Sequence, residues 1–308
     1  MKTLTSKDPE FLEFVGKQES QYLMTKDYWR EEVQDFFAGN VVQLGDFLPW
    51  DKTSTIVRLR PGEVSIWAGI NGHGKSMVSG QVALWLSRMT KVLIASLEMK
   101  PSSTLARMIR QASGGNQPPR SYIDKFFDWS DDSMWIYDQL DSVDTDRILG
   151  MLHYAAQKLD IKHVFIDSLM KCGIGTDDYN KQKDFVDRLC WVAKSENIHI
   201  HLIHHVRKGG SERERPGKFD IKGAGEITDL VDNVFIQWRN KGKEEKVKMR
   251  EAGQAVDLDD DEADAILTVA KQRHGEWEGP LKLWFHAPSQ QFIPKPCNSP
   301  MPFTLESA

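Results

Sequence analysis

From about residue 64 to residue 293, short apolar runs alternate with longer stretches in which apolar residues recur every three to four positions. A short run that is apolar throughout reads as a strand buried on both faces, and the three-to-four spacing reads as a helix with one buried stripe. The pattern predicts strands at 64–68, 91–97, 134–137, 163–166, 199–203, 233–238 and 265–270, with a closing pair at 281–285 and 291–293. Helices are predicted directly after Gly74 and over 102–112, 145–158 and 181–195. Such alternation means an α/β chain, a mostly parallel central sheet flanked by helices on both faces.

Residues 1–45 lie ahead of this pattern and form an N-terminal extension. Within it, residues 27–38 place Trp29, Val33, Phe36 and Phe37 at i, i+4, i+7 and i+8, which predicts a short amphipathic helix. Its apolar stripe needs a partner, on this chain's own core or on a neighbouring subunit. Residues 46–294 are then the main domain. The stretch 295–308 has three prolines and no periodicity, and is expected to be disordered.

Composition changes this picture little. Hydrophobic residues make up 40% of the 308 residues and charged residues 28%, which excludes a chain disordered throughout. No apolar run approaches the roughly 20 residues that cross a bilayer, and the first residues lack the apolar core of a signal peptide. Cys172, Cys190 and Cys297 are too few and too scattered for a disulfide framework or a zinc ribbon. The expectation is a cytoplasmic protein with no membrane partner.

The net charge of −5 argues against coating nucleic acid by bulk charge, yet leaves room for local basic loops. Charge is distributed in blocks. Residues 239–250 hold six basic and two acidic residues, and 251–264 hold seven acidic and no basic ones. That pair is expected to be a solvated, mobile excursion between two strands.

The chemistry begins at Gly69-Ile-Asn71-Gly72-His73-Gly74-Lys75-Ser76-Met77, which fits G-x-x-x-x-G-K-[ST] between a predicted strand and a predicted helix. Backbone N–H groups of such a loop, with the helix N-terminus, form an anion site. Lys75 can reach the outer phosphates of a bound nucleotide and Ser76 can ligate Mg²⁺. His73 is expected to fill space in the loop and not to react. Asp167 ends an apolar strand, as suits a carboxylate that holds Mg²⁺. Glu98 ends the strand directly after the loop's helix, where it could polarise an attacking water or simply be a solvated strand end.

At this point the residues resemble a known family. Ser96-Leu97-Glu98-Met99, followed by Leu105 and Arg107, resembles the segment after the phosphate loop of DnaB-type replicative helicases. Leu202-Ile203-His204-His205-Val206-Arg207-Lys208 and Asp220-Ile221-Lys222-Gly223-Ala224-Gly225 resemble the same family's sensor strand and DNA-binding loop, and Lys271-Gln272-Arg273 resembles its Lys-x-Arg finger. The pattern is most similar to the motors of phage and mitochondrial primase-helicases, the Twinkle-like branch, and spans about residues 45–294.

The resemblance implies a RecA-like P-loop NTPase core that assembles as a ring, usually a hexamer, and hydrolyses ATP or another NTP with Mg²⁺ at subunit interfaces. It implies that Glu98 activates water, that Asp167 and Ser76 hold the metal, and that His205 senses the γ-phosphate. Lys271 and Arg273 would reach the neighbouring subunit's site, and Arg239 and Phe285 would lie near the nucleotide base. The implied partners are single-stranded and replication-fork DNA, further copies of the chain, and a separate primase, polymerase or loader. The acidic stretch 251–264 departs from the family's pattern. No cysteine cluster precedes the phosphate loop, and 45 residues do not hold the family's N-terminal collar.

Two further readings of the residues bear on DNA. His199, His201 and His205 share one face of an extended strand, but no cysteine or carboxylate nearby in sequence completes a metal site. The loop 207–222 carries six basic residues, Arg207, Lys208, Arg213, Arg215, Lys218 and Lys222, against three acidic ones. In a RecA-like ring that loop would face the channel and grip phosphates without reading sequence. The competing classes are a RecA- or RadA-like recombination ATPase that forms filaments, and a non-motor P-loop ATPase or kinase.

Overall fold

The computed structural model describes residues 26–38, 45–139, 142–175, 178–206, 211–222, 224–296 and 299–305. The chain divides into two units, residues 1–44 and 45–308. In the first, a 3₁₀ turn at Lys26–Trp29 leads into helix α1, Arg30–Ala38, at the position the apolar spacing predicts. Val33 and Phe37 on it are exposed.

The second unit is built on a nine-stranded sheet. Its strands are β1 (Val64–Gly69), β2 (Val92–Ser96), β3 (Met134–Tyr137), β4 (His163–Asp167), β5 (His199–Ile203), β6 (Asn233–Arg239), β7 (Ala265–Gln272), β8 (Gly279–His286) and β9 (Gln291–Ile293). They lie in the order β3-β2-β4-β5-β1-β6-β7-β8-β9. Pairing is parallel from β3 through β6 and antiparallel from β6 to β9. The connecting helices are α2 (Lys75–Leu86), α3 (Pro101–Ser113), α4 (Arg120–Ser130), α5 (Thr145–Leu159), α6 (Tyr179–Glu196), α7 (Ala224–Leu230) and α8 (Lys241–Glu251).

Each face of the sheet carries its own core, which is why the central strands are apolar throughout. On β1, Val64, Ile66 and Ala68 pack with apolar residues of α5, α6 and α7 on one side. Trp67 packs on the other with residues of α2, α3 and α4. All nine predicted strands form. Among the helices, α4, α7 and α8 were not foreseen.

Helix α8 corrects the expectation of a mobile excursion. Asn240 caps it by accepting from the Lys243 N–H at 3.0 Å. The acidic stretch that follows folds back along the helix: Lys243, itself buried, pairs with Asp264 at 2.9 Å, and Arg250 pairs with Asp260 at 3.0 Å. Opposite blocks of charge thus neutralise each other locally.

Of the stretch after Pro294, expected to be disordered, part of the described residues 299–305 packs. Met301, Phe303 and Leu305 lie against the second core, and the Phe303 ring meets Trp129 edge-on with centroids 5.3 Å apart. The Gln291 side chain accepts from the Met301 N–H at 2.7 Å.

Candidate nucleotide site

The glycine-rich turn forms where β1 ends and α2 begins. Gly74 caps α2 with φ of 86°, and Gly72 has φ of 78°, conformations that other residues rarely adopt. At Gly69 a Cβ would stand 2.4 Å from the Gln237 carbonyl oxygen, so β6 fixes how closely the loop passes. The first amides of α2 have no acceptor inside the helix and, with the helix dipole, leave an anion-binding face.

Lys75 is buried and donates from Nζ to the carbonyls of Gly69 (3.0 Å) and Ile70 (3.1 Å). Burial pushes its pKa down to about 8, against the opposing pull of Asp167 and Glu98. The Ser76 hydroxyl hydrogen-bonds the Asp167 carboxyl, which burial pushes upward. Asp167 ends β4 and is joined to Ser168 by a cis peptide bond.

Glu98 enters from β2, which is not a direct neighbour of β1, since β4 and β5 lie between them. It still arrives because the Ser168 hydroxyl donates to Glu98 Oε1. His205 leaves the end of β5, and its Nε2 stands 3.6 Å from the same oxygen. The imidazole first, and then the Ser168 hydroxyl, hold the Glu98 carboxyl down at about 2.

The loop's other residues are placed as follows. His73 is buried and its Nδ1 accepts the Arg239 N–H at 3.1 Å, tying the loop to the end of β6. Burial lowers its pKa to about 4, so it is neutral, with the proton on Nε2. Asn71 and Gly72 are exposed at the turn, and the Met77 carbonyl accepts from Gln111 of α3 at 3.0 Å.

Arg239 and Phe285 come together beside Gly74. The guanidinium lies 4.5 Å from the Phe285 ring centroid, and a Cβ on Gly74 would be 3.6 Å from Arg239 Cδ. Glu244 of α8 pairs with both Arg239 (2.7 Å) and Lys241 (3.0 Å).

Lys271 and Arg273 are not brought to this site within the chain. Lys271 pairs in register with Val234 at the start of β6, whereas the phosphate loop leaves β1 beyond Gly69, opposite Gln237. Lys271 Nζ donates to the carbonyls of Thr228, Asp229 and Val231 at 2.7–3.0 Å. Arg273 donates to Asp229 and Leu230 at 3.0 and 2.8 Å, and pairs through Nε with the buried Asp232 at 3.0 Å. Two cations thus cap the C-terminus of α7, as its dipole favours.

Of the basic loop, Arg207 and Lys208 lie outside the described residues. Arg213 pairs with Glu245 at 2.7 Å, and Arg215 lies 5.3 Å from the Trp238 ring centroid. Lys218 sits on a 3₁₀ turn, Lys218–Asp220, and Lys222 follows it.

Sequence reasoning missed several contributors. Ser168 could have been found, because it adjoins Asp167. Arg107 stood among the quoted residues without a role, yet it lines a cleft with Ser76, Thr104 and Asp167. Phe292, whose ring would meet a Cβ on Gly74 at 2.9 Å, gives no signal in sequence.

Residues 52–211, just over half of the chain, match the AAA domain family, and the protein belongs to that family. Its fold is the RecA-like ATPase fold. It is similar to a solved DnaB-like replicative helicase studied with its interactions with primase, at a TM-score of 0.70 and 14% identity, over 92% of this chain and 72% of that one. It is also similar to the solved ATPase domain of a second protein, at a TM-score of 0.69 and 15% identity, over 86% of this chain and 98% of that domain. No described helix is long and apolar enough to cross a membrane.

Proposed function

We propose that this protein is an ATP-hydrolysing DNA helicase motor, which assembles as a homo-oligomeric ring, a hexamer, moves along single-stranded DNA and unwinds duplex. One observation carries the reading. Lys75 and Ser76, Glu98, Asp167 and His205 come from four strand ends to one place, in a fold shared with a DnaB-like helicase.

The donor set suits a magnesium nucleotide. Lys75 is a buried cation that donates to two backbone carbonyls, and Ser76 and Asp167 offer paired hard oxygens of the kind Mg²⁺ takes. When bound, the metal ion would neutralise charge on the transferred phosphoryl group. Lys75 would turn from the Gly69 and Ile70 carbonyls to the phosphates. Glu98, ionised throughout the working pH range, would orient and deprotonate the attacking water. His205, 3.6 Å from Glu98, would register the γ-phosphate and pass its position to the loop 207–222.

In this reading residues 46–294 are the motor and 1–45 an N-terminal extension or linker. Arg207, Lys208, Arg213, Arg215, Lys218 and Lys222 grip phosphates in the channel, and Lys271 and Arg273 act on the neighbour's nucleotide. A cytoplasmic replication fork, with a separate primase, polymerase or loader, is the working place. The test is ATPase rate with and without single-stranded DNA, strand displacement, and negative-stain images. Stimulation, displacement and closed rings are expected. Filaments without displacement would move the protein to the recombinase class, and indifference to DNA would end the motor reading.

A further inference from the structure

The turn that carries Lys218 also displays an aromatic ring. Phe219 is 84% exposed, the most exposed large apolar side chain among the described residues. It is not on a slack segment. The Gly217 N–H donates to Asp220 Oδ2 at 2.6 Å, and the Asp220 N–H donates back to the Gly217 carbonyl at 3.1 Å. Ile221, two residues on, is fully buried and bridges to Val206. The Lys222 N–H donates to the His205 carbonyl at 3.1 Å, and His204 Nε2 donates to the Lys222 carbonyl at 2.9 Å. A firm backbone therefore presents Phe219 to water, fastened to the residue that faces Glu98.

We propose that Phe219 is a stacking platform for an unpaired base of a single strand whose phosphates lie on Lys218 and Lys222. The inference rests on the single-strand motor reading and adds a base contact to it. A planar ring with Lys218 next to it and Lys222 three residues on matches the nucleotide unit, one flat base beside one phosphate. Every base has a π face, so the contact is tolerant of sequence. A protein partner would fit less well. Phe219 lies between Lys218 and Asp220, and no second large apolar side chain of 211–222 is exposed with it. Lys218 and Lys222 make no ion pair among the described residues, whereas Arg213 is already engaged by Glu245. The fastening at His205 gives the contact a use: a shift of the sensor moves the platform, and with it the base.

The test compares two strands of equal length with the full chain and a non-hydrolysable ATP analogue, one of oligothymidylate and one of abasic sites. Fluorescence anisotropy reads affinity and light scattering reads assembly. Wild type should prefer the strand with bases. Phe219→Leu should weaken oligothymidylate binding by about 5- to 150-fold while leaving abasic binding and the salt slope in place, because no phosphate contact is lost. Phe219→Trp should restore binding. Equal binding of oligothymidylate by wild type and Phe219→Leu overturns the platform alone, as does an equal loss on both strands. A smaller assembly in Phe219→Leu makes Phe219 a subunit contact and also overturns it. Failure of wild type to bind either strand is a different result, which removes the single-strand reading and this inference with it.

Discussion

His163 Nε2 lies 2.8 Å from the Asp46 carboxylate, and this contact fixes the position of each proton in a buried chain of rings. The Trp67 indole N–H donates to His201 Nδ1 at 3.1 Å, so neutral His201 carries its proton on Nε2 and donates to His163 Nδ1 at 3.0 Å. His163 then donates to Asp46. Alongside, His199 donates from Nδ1 to the Arg60 carbonyl and accepts from the Ser65 hydroxyl at 2.7 Å. His163 stacks on both His199 and His201, and His201 on Phe165, toward the starting ends of β4 and β5 and away from the nucleotide site.

Stability should therefore fall in mild acid. Burial holds His199 and His201 well below the ordinary value, so near pH 6.5 the unfolded chain takes up protons that the folded chain refuses. Stability from these groups is complete above about pH 6.5 and is lost as pH falls below it. Each histidine should cost roughly 1.4 kcal/mol between pH 7.5 and 5.5. Urea midpoints across that range measure it, and a flat profile contradicts neutral buried rings.

Nucleotide affinity should fall in mild alkali. Burial lowers Lys75 to about 8 in the free protein, so its charge is lost as pH rises past that value. Affinity should drop by up to about tenfold per pH unit above pH 8, until the value in the complex is reached. Titration with a fluorescent nucleotide at pH 7 and pH 9.5 tests this. Lys75→Ala should abolish turnover at every pH while leaving the fold intact.

Glu98→Gln should bind nucleotide and hydrolyse it about 10²–10⁴-fold more slowly, since an amide cannot take the water's proton. Because Glu98 sits at about 2 in the native protein, it should not set an acid limb in the rate profile above pH 4. Loss of nucleotide binding in Glu98→Gln would instead make Glu98 a metal ligand.

Arg273→Ala should have two separable effects. Within one chain it leaves the buried Asp232 carboxylate without its cation, and Asp232 still accepts the Val64 N–H at 3.0 Å. Because Arg273 is 41% exposed, the loss should be modest, about 1–2 kcal/mol by denaturant titration. Between chains, mixing Arg273→Ala with Lys75→Ala subunits should recover ATPase at interfaces where both residues are intact. No recovery despite co-assembly counts against action on the neighbour's site.

The sequence made the parallel sheet legible because each central strand is apolar throughout, as burial on both faces requires. Glu98, Asp167 and Lys75 were legible because each closes or follows such a strand. Helix α8 was not, because with a single apolar residue before Met249 it has no stripe to read; it is held by Asn240 and by ion pairs to residues up to 21 positions on. Phe292 was invisible for another reason. Its place beside Gly74 depends on contacts with partners more than 200 residues away.

Those contacts bear on solubility. The outward backbone of β9 is fully occupied: Gln81 of α2 donates to the Phe292 carbonyl at 2.9 Å and accepts its N–H at 2.8 Å. The Trp50 indole donates to the same carbonyl at 2.7 Å. One amide side chain and one indole thus stand where another strand would otherwise pair. The last strand of the sheet offers no free template, and copies of the chain cannot join there edge to edge into aggregates.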